Sequence, residues 1–268
     1  MDGGPVLVSE AIVPRLEVLF TPADFEALRG RDLSRATCVV FDVLRATTVL
    51  MTALANGAES VMPAATLAEA LGLRAADPGA LLAGERDGVR ITAAVSGGVD
   101  FDLGNSPREF TAAAVGGRRI VATTTNGTRA LRACEGAAHV LPCSLRNVGA
   151  VSRWMQARPT PEWLLVCSGT YEDAAYEDVV GAGAMVRRLE AAVPGLRLMD
   201  SARIASIVHA NAAPDLAHAM ATHARNGRRL AANPDLAPDI AVCAVVDDID
   251  VVARMDGDGA VRRCGAGG

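Results

Sequence analysis

Lysine is absent from this chain of 268 residues: all 26 basic side chains are arginine. That excludes chemistry built on an amine, such as a Schiff base, a P-loop lysine or a kinase lysine. Arginine stays protonated and is a poor base or nucleophile, yet it clamps anions through paired hydrogen bonds. Aromatic residues make up only 3% of the chain, too few for a base-stacking platform. A dense basic face is missing too, since 31 acidic residues give a net charge of −5. No nucleic-acid partner is therefore expected. No two of the six cysteines have CxxC spacing, and Cys38 and Cys243 sit inside apolar runs as small buried hydrophobes. No apolar run approaches the ~20 residues that span a bilayer, so no membrane partner is expected. The opening MDGGPVLVSE has no basic region or apolar core of signal-peptide type. A reduced, cytoplasmic protein is the expectation.

Half of the residues are apolar, ample for a core without disulfides. Short runs rich in Val and Leu alternate with Ala- and Leu-rich amphipathic stretches, the pattern of α/β architecture. Strands are predicted at 16–20, 37–43, 59–62, 80–83, 118–123, 138–142, 163–167, 240–246 and 249–253. Helices are predicted at 22–29, 45–56, 66–76, 107–115, 127–135, 146–157, 178–192, 201–210 and 214–231. Runs 37–43, 118–123 and 163–167 are apolar throughout, as in strands covered on both faces. Asp256-Gly257-Asp258-Gly259 reads as a hairpin turn between short edge strands, and the tail 263–268 as frayed. The Pro-containing stretch 157–161 is either a boundary between halves 1–157 and 158–268 or a loop within one compact unit. A homo-oligomer is compatible with the sequence, which does not fix the oligomeric state.

In an open α/β sheet, ligands bind beyond the carboxyl ends of the strands, and here those ends are polar. After CVVFDV come Asp42 and then Arg45-Ala46-Thr47-Thr48 opening a helix, either an anion site or a plain cap. After ALLAG come Glu85-Arg86, which taken alone read as a surface ion pair. After RRIVA comes Thr123-Thr124-Thr125-Asn126-Gly127-Thr128-Arg129, where hydroxyls and helix N–H groups can cradle a phosphate or sulfonate. It is not a P-loop. After WLLVC, Ser168-Gly169-Thr170 leads to Glu177-Asp178 in a first helical turn, where acids suit the macrodipole and can also hold Mg²⁺. Asn105 and Ser106 precede Pro107 as a cap or as neutral ligand donors. The four histidines lie outside these segments, and no GxSxG occurs. The sum is the group set that phosphoryl transfer to water uses: positioning and charge neutralisation rather than covalent protein chemistry.

Together these stretches resemble the 2-phosphosulfolactate phosphatase family. The resemblance rests on Asp42-Val-Leu-Arg-Ala-Thr47, Gly84-Glu-Arg86, Phe101-Asp-Leu-Gly-Asn-Ser-Pro107, Thr123-Thr-Thr-Asn-Gly-Thr-Arg-Ala130 and Gly169-Thr170 with Glu177-Asp178. A weaker echo is Asp239 with Cys243. It implies a three-layer α/β/α sandwich with two internally similar halves. It also implies an Mg²⁺-dependent phosphoric monoester hydrolase that converts (2R)-2-phospho-3-sulfolactate to 3-sulfolactate and phosphate, a step in one route to coenzyme M. The chain departs from the family pattern in residues Ala93 to Val99, an extra loop that alters substrate preference if it covers the site.

Carried onto this chain, the expectation puts Mg²⁺ among Asp42, Glu85 and one of Glu177 or Asp178. Arg45, Arg129 and the helix start at Asn126-Gly127-Thr128 neutralise the developing charge, with Asp42, Arg45 and Arg129 catalytic. Arg86 holds the sulfonate or carboxylate, and Asn105, Ser106 and Thr124 complete the contacts. The nucleophile is either water activated by the ion or the Asp42 carboxylate. Two alternatives stand beside this: a phosphatase of another small 2-phosphorylated hydroxy acid, and a non-catalytic anion-binding module.

Overall fold

The computed structural model describes residues 12–265. The N-terminal decapeptide, read above for targeting, and the end of the tail, read as frayed, lie outside the described residues. The strands are β1 (Arg15–Leu19), β2 (Ala36–Phe41), β3 (Ser60–Pro63), β4 (Leu81–Arg86), β5 (Val89–Arg90), β6 (Arg119–Thr123), β7 (His139–Cys143), β8 (Glu162–Cys167), β9 (Arg197–Leu198), β10 (Ala253–Met255) and β11 (Val261–Arg263). The first six helices are α1 (Pro22–Glu26), α2 (Ala46–Ala55), α3 (Leu67–Ala76), α4 (Ala93–Ser96), α5 (Ala112–Val115) and α6 (Gly127–Ala133). They are followed by α7 (Val148–Ala157), α8 (Tyr176–Ala192), α9 (Asp200–Ala212), α10 (Leu216–His223), α11 (Arg225–Ala231) and α12 (Pro238–Cys243).

The chain is an α/β protein whose strands divide between two sheets. One is all parallel, with five strands in the order β7-β2-β8-β1-β9. The other has six strands in the order β10-β11-β3-β6-β4-β5, parallel at its centre and antiparallel towards both edges. Each sheet takes strands from both sides of residue 157.

Alternation along the strands explains the unbroken apolar runs. Cys38 and Val40 of β2 face a core shared with α2, α6 and the second sheet. Val39 and Phe41 face the opposite side, against α7, α8 and α9. Successive side chains point to opposite faces, so a strand covered on both sides must be apolar at every position. A smaller cluster under α3, with Leu82, Val121 and Phe101, closes the outer face of the mixed sheet. Among the described residues, no helix is long and apolar enough to cross a membrane.

Four expected elements take a different form, and one of them, the strand expected at 249–253, begins only at Ala253 as β10. The run 240–246 is not a strand: Pro238 opens α12, and the buried positions Asp239, Ile240 and Cys243 have helical spacing. A short apolar run does not separate strand from buried helix, whereas proline at the first helical position does point to a helix start. The helix expected at 107–115 is a 3₁₀ turn over Pro107–Glu109 followed by α5. The helix expected at 214–231 breaks at Ala224, whose extended backbone separates α10 from α11.

Candidate active site

The carboxyl ends of β2, β4, β6 and β8 meet at a small cavity open to solvent. Asp42, Arg45, Glu85, Asn105, Thr124 and Asn126 all line it, as do Asp87, Gly88, Gly169, Thr170, Asn226 and Arg229. Asp42 follows β2, and its Oδ1 accepts the Ala46 N–H at 2.9 Å at the start of α2. Burial pushes its pKa up to about 6, and the nearby Glu85 charge adds to that rise, while the Ala46 and Ser168 hydrogen bonds and Arg45 oppose it.

Glu85 is the next-to-last residue of β4 and is nearly enclosed, at 6% exposure. Its Oε1 accepts both the backbone N–H and the hydroxyl of Thr125 at 3.1 Å, and its Oε2 accepts the Gly88 N–H at 2.7 Å. It therefore joins the β4–β5 turn to the threonine loop after β6. Read alone in the sequence it looked like half of a surface ion pair. Arg86 in fact turns away, donating to the Glu85 carbonyl and to Thr123, and it lies outside the cavity lining.

Behind Asp42 lie two further buried acids from the first turn of α8. Asp178 accepts the Val43 N–H at 2.8 Å, the Ser168 hydroxyl at 2.9 Å and the Gly169 N–H at 3.1 Å, tying the ends of β2 and β8 together. Burial, with the Asp42 and Glu177 charges, holds its pKa well above the usual carboxylate range. Glu177 accepts the Asn226 amide at 2.7 Å through Oε1, and its buried Oε2 has no partner. Burial, reinforced by Asp42, pushes Glu177 up to about 7. Among the described residues, no three His, Cys, Asp or Glu side chains form a ready-made metal cage.

Arg45 is enclosed, donating to Asp239 at 2.6 Å and to the Gly88 carbonyl at 2.9 Å. Asp239 is wholly buried and also accepts the Ser106 hydroxyl and the Arg108 Nε, each at 2.7 Å. Ser106 thus acts on Asp239, while its neighbour Asn105 lines the cavity. Asn126 donates its amide to the Ser168 carbonyl at 3.1 Å and the Tyr171 carbonyl at 2.9 Å. The Asn126 Oδ1 and the Thr124 hydroxyl are buried without partners.

Gly127 opens α6 directly beside Asp42: a Cβ built there would lie 2.6 Å from Asp42 Oδ2. Thr128 donates back to the Thr124 carbonyl at 3.2 Å. Gly127 and Thr128 line a neighbouring apolar cavity that shares Asn105 and Thr124 with the polar one. Arg129 is placed apart, on the outer side of α6, paired with Glu172 at 3.0 Å and Glu26 at 3.6 Å. Residues 93–99 do not line the cavity either.

Arg229 and Asn226 were not singled out from the sequence. Their i, i+3 spacing with Leu230 was the available signal, and all three line the cavity from α11. The arrangement sets four buried acids beside two arginines and several neutral polar groups, a chemistry suited to a small polyanion together with a cation.

A family model described as 2-phosphosulpholactate phosphatase matches residues 24–258. A probable 2-phosphosulfolactate phosphatase of Synechococcus sp. (strain RCC307) is 39% identical over 231 residues, covering 84% of this chain and 91% of the relative. One from Carboxydothermus hydrogenoformans is 33% identical over 238 residues, covering 89% and 92%. Another, from Deinococcus radiodurans, is 44% identical over 168 residues, covering 62% and 67%.

Proposed function

The chain belongs to the 2-phosphosulfolactate phosphatase family, and from that premise we propose that it hydrolyses (2R)-2-phospho-3-sulfolactate to 3-sulfolactate and phosphate with the help of Mg²⁺. The observation that carries this is the convergence of Asp42 and Glu85, from the carboxyl ends of strands in different sheets, with Arg45 around one cavity.

The residues present suit a dication. Burial raises the pKa values of Asp42, Glu177 and Asp178, the Glu85 charge adds to the rise at Asp42, the Asp42 charge adds to the rises at Glu177 and Asp178, and one Glu177 oxygen is buried with no donor. Crowded carboxylates of this kind gain from a positive ion among them. Mg²⁺ keeps several waters and takes only one or two carboxylates plus substrate oxygens, so a full protein cage is not needed. Asp42 and Glu85 would hold it, with Glu177 and Asp178 behind them. Once bound, it would neutralise phosphoryl charge as the ester bond breaks.

The chain's own groups do the rest. Arg45, anchored by Asp239 and Gly88, presents positive charge where the phosphoryl oxygens gather charge. Asn105, Thr124 and Asn126 offer neutral polar contacts, and Gly127 and Thr128 let α6 start against Asp42. Arg86 and Arg129, engaged elsewhere, support the loops rather than the ester. Ser106 serves through Asp239.

The finer architecture belongs to the same reading. The helices that cover both faces of the five-stranded sheet support a three-layer α/β/α arrangement. Strand β8 inserted between β2 and β1 supports treating residues 1–157 and 158–268 as one unit. A cytoplasmic setting and a place in a route to coenzyme M follow from the family reading.

The test is release of inorganic phosphate from 2-phosphosulfolactate, with Mg²⁺ and with a chelator. Release that depends on Mg²⁺ is expected. No release above background, from this ester or from other 2-phosphorylated hydroxy acids, would leave only an anion-binding module.

A further inference from the structure

The wall of the cavity opposite the threonine loop is α11, and it carries a cation with no assigned task. Arg229 lines the cavity, and its guanidinium lies over Gly88: a Cβ built on Gly88 would be 3.5 Å from an Nη atom. Among the described residues, Arg229 donates no hydrogen bond and forms no ion pair. Its charge is felt by Glu177. The neighbouring arginines are all engaged. Arg45 and Arg108 hold Asp239, Arg86 holds Thr123, Arg225 faces Asp173 and Arg228 holds the carbonyls that end α10.

The helix that carries Arg229 is firmly seated. Asn226, one turn earlier on the same face, donates to the Thr170 hydroxyl and to Glu177 Oε1, each at 2.7 Å. Gly227 lets α11 close against α10, because a Cβ there would overlap the Met220 carbonyl oxygen. Arg229 is therefore held at the cavity by backbone packing and not by a partner of its own.

We propose that Arg229 is the specificity-determining residue that receives the sulfonate of the substrate, with Asn226 as its positioning residue. The inference rests on the phosphatase reading above and deepens it. The substrate has three acidic groups, and they differ in kind. Phosphate and carboxylate oxygens are good ligands for a hard dication held by Asp42 and Glu85. A sulfonate is a weak metal ligand with spread charge and three equivalent oxygens, which matches the two-pronged, weakly hydrated guanidinium. Arg45 is already committed to Asp239 and Gly88, which leaves Arg229 for the third group.

The test compares 2-phosphosulfolactate with 2-phospholactate, which lacks the sulfonate, in the wild type, Arg229→Gln and Arg229→Lys, with folding checked by circular dichroism. Calorimetric binding of 3-sulfolactate and of lactate runs in parallel. Arg229→Gln should lower kcat/KM for the sulfonated ester about 10- to 100-fold, mostly through KM, as expected for losing a charged hydrogen-bond partner. It should change 2-phospholactate turnover by less than about threefold, weaken sulfolactate binding by the same factor as kcat/KM, and be partly rescued by Arg229→Lys. Undiminished preference for the sulfonated ester, or an equal loss for both esters, would overturn the proposal. If the wild type cleaves neither ester, the phosphatase reading fails, and the calorimetry still decides whether Arg229 recognises a sulfonate.

Discussion

Arg45 and Asp239 stand 194 positions apart in the chain and meet at 2.6 Å in an ion pair closed off from solvent. The pair ties the start of α2 to α12, so the last third of the chain reaches into the site that the first third begins. Asp239 also takes Arg108 and Ser106, so two arginines share one carboxylate.

Removing that carboxylate should be costly in two ways. Breaking a buried pair by deleting one partner leaves an uncompensated charge, which costs about 3–5 kcal/mol. Asp239→Asn should therefore lower the urea midpoint markedly and reduce kcat at least tenfold, with a smaller effect on KM. In a double-mutant cycle with Arg45→Met, the two losses should be less than additive. Full additivity would show that the two residues act independently.

Gly127 tests the packing of α6 on Asp42. An alanine there would place its Cβ 2.6 Å from Asp42 Oδ2 and 2.8 Å from Ala46 Cβ. Overpacking of this kind costs about 1–3 kcal/mol. Gly127→Ala should lower stability by that amount and cut turnover at least tenfold by displacing Asp42. Unchanged stability and turnover would show that α6 has room to move.

The buried acids set a pH dependence. Asp42 rises from 3.8 to about 6 and Glu177 from 4.5 to about 7, so the folded protein holds protons that the unfolded chain has lost. Stability from these groups is therefore fully present below pH 4 and is lost as pH rises through 6 to 7. The melting temperature of metal-free protein should fall across that window, Glu177→Gln should flatten the fall, and added Mg²⁺ should offset it. A melting temperature that climbs with pH through this range in the wild type, unaltered in Glu177→Gln, would contradict the assignment.

Arg129 supplies a contrast. Its guanidinium pairs with Glu172 and Glu26 and lies 6.0 Å from the Phe25 ring centre. Exposed pairs contribute about 0–1 kcal/mol. Arg129→Gln should change kcat/KM by less than about threefold. A hundredfold loss would return this residue to the catalytic centre.

The α/β class was legible because strands covered on both faces have to be apolar throughout, as β2, β6 and β8 nearly are. Asp42, Glu85 and Asn126 line the cavity, and the signal for them in the sequence was a position just past an expected strand end. Arg129 shares that position in the chain but not in space. It lies two residues after Gly127, a rotation of roughly 200° around the helix, so it leaves on the side away from Asp42. Arg229 and Asn226 were hidden because α11 follows no long strand, and its spacing resembles that of any amphipathic helix. Asp239 was named only as a weak echo of the family pattern, and its element was misread because its apolar neighbours Ile240 to Val246 imitate a strand. What places it is Pro238, which starts a helix where the apolar run suggested a strand.

The most direct measurement is the rate of phosphate release from 2-phosphosulfolactate, with Mg²⁺, by Asp42→Asn protein whose circular dichroism and melting profile show it to be folded. If Asp42 lies at the centre of the reaction, that rate should fall by at least about 100-fold. A folded Asp42→Asn protein that turns over like the wild type would contradict the account.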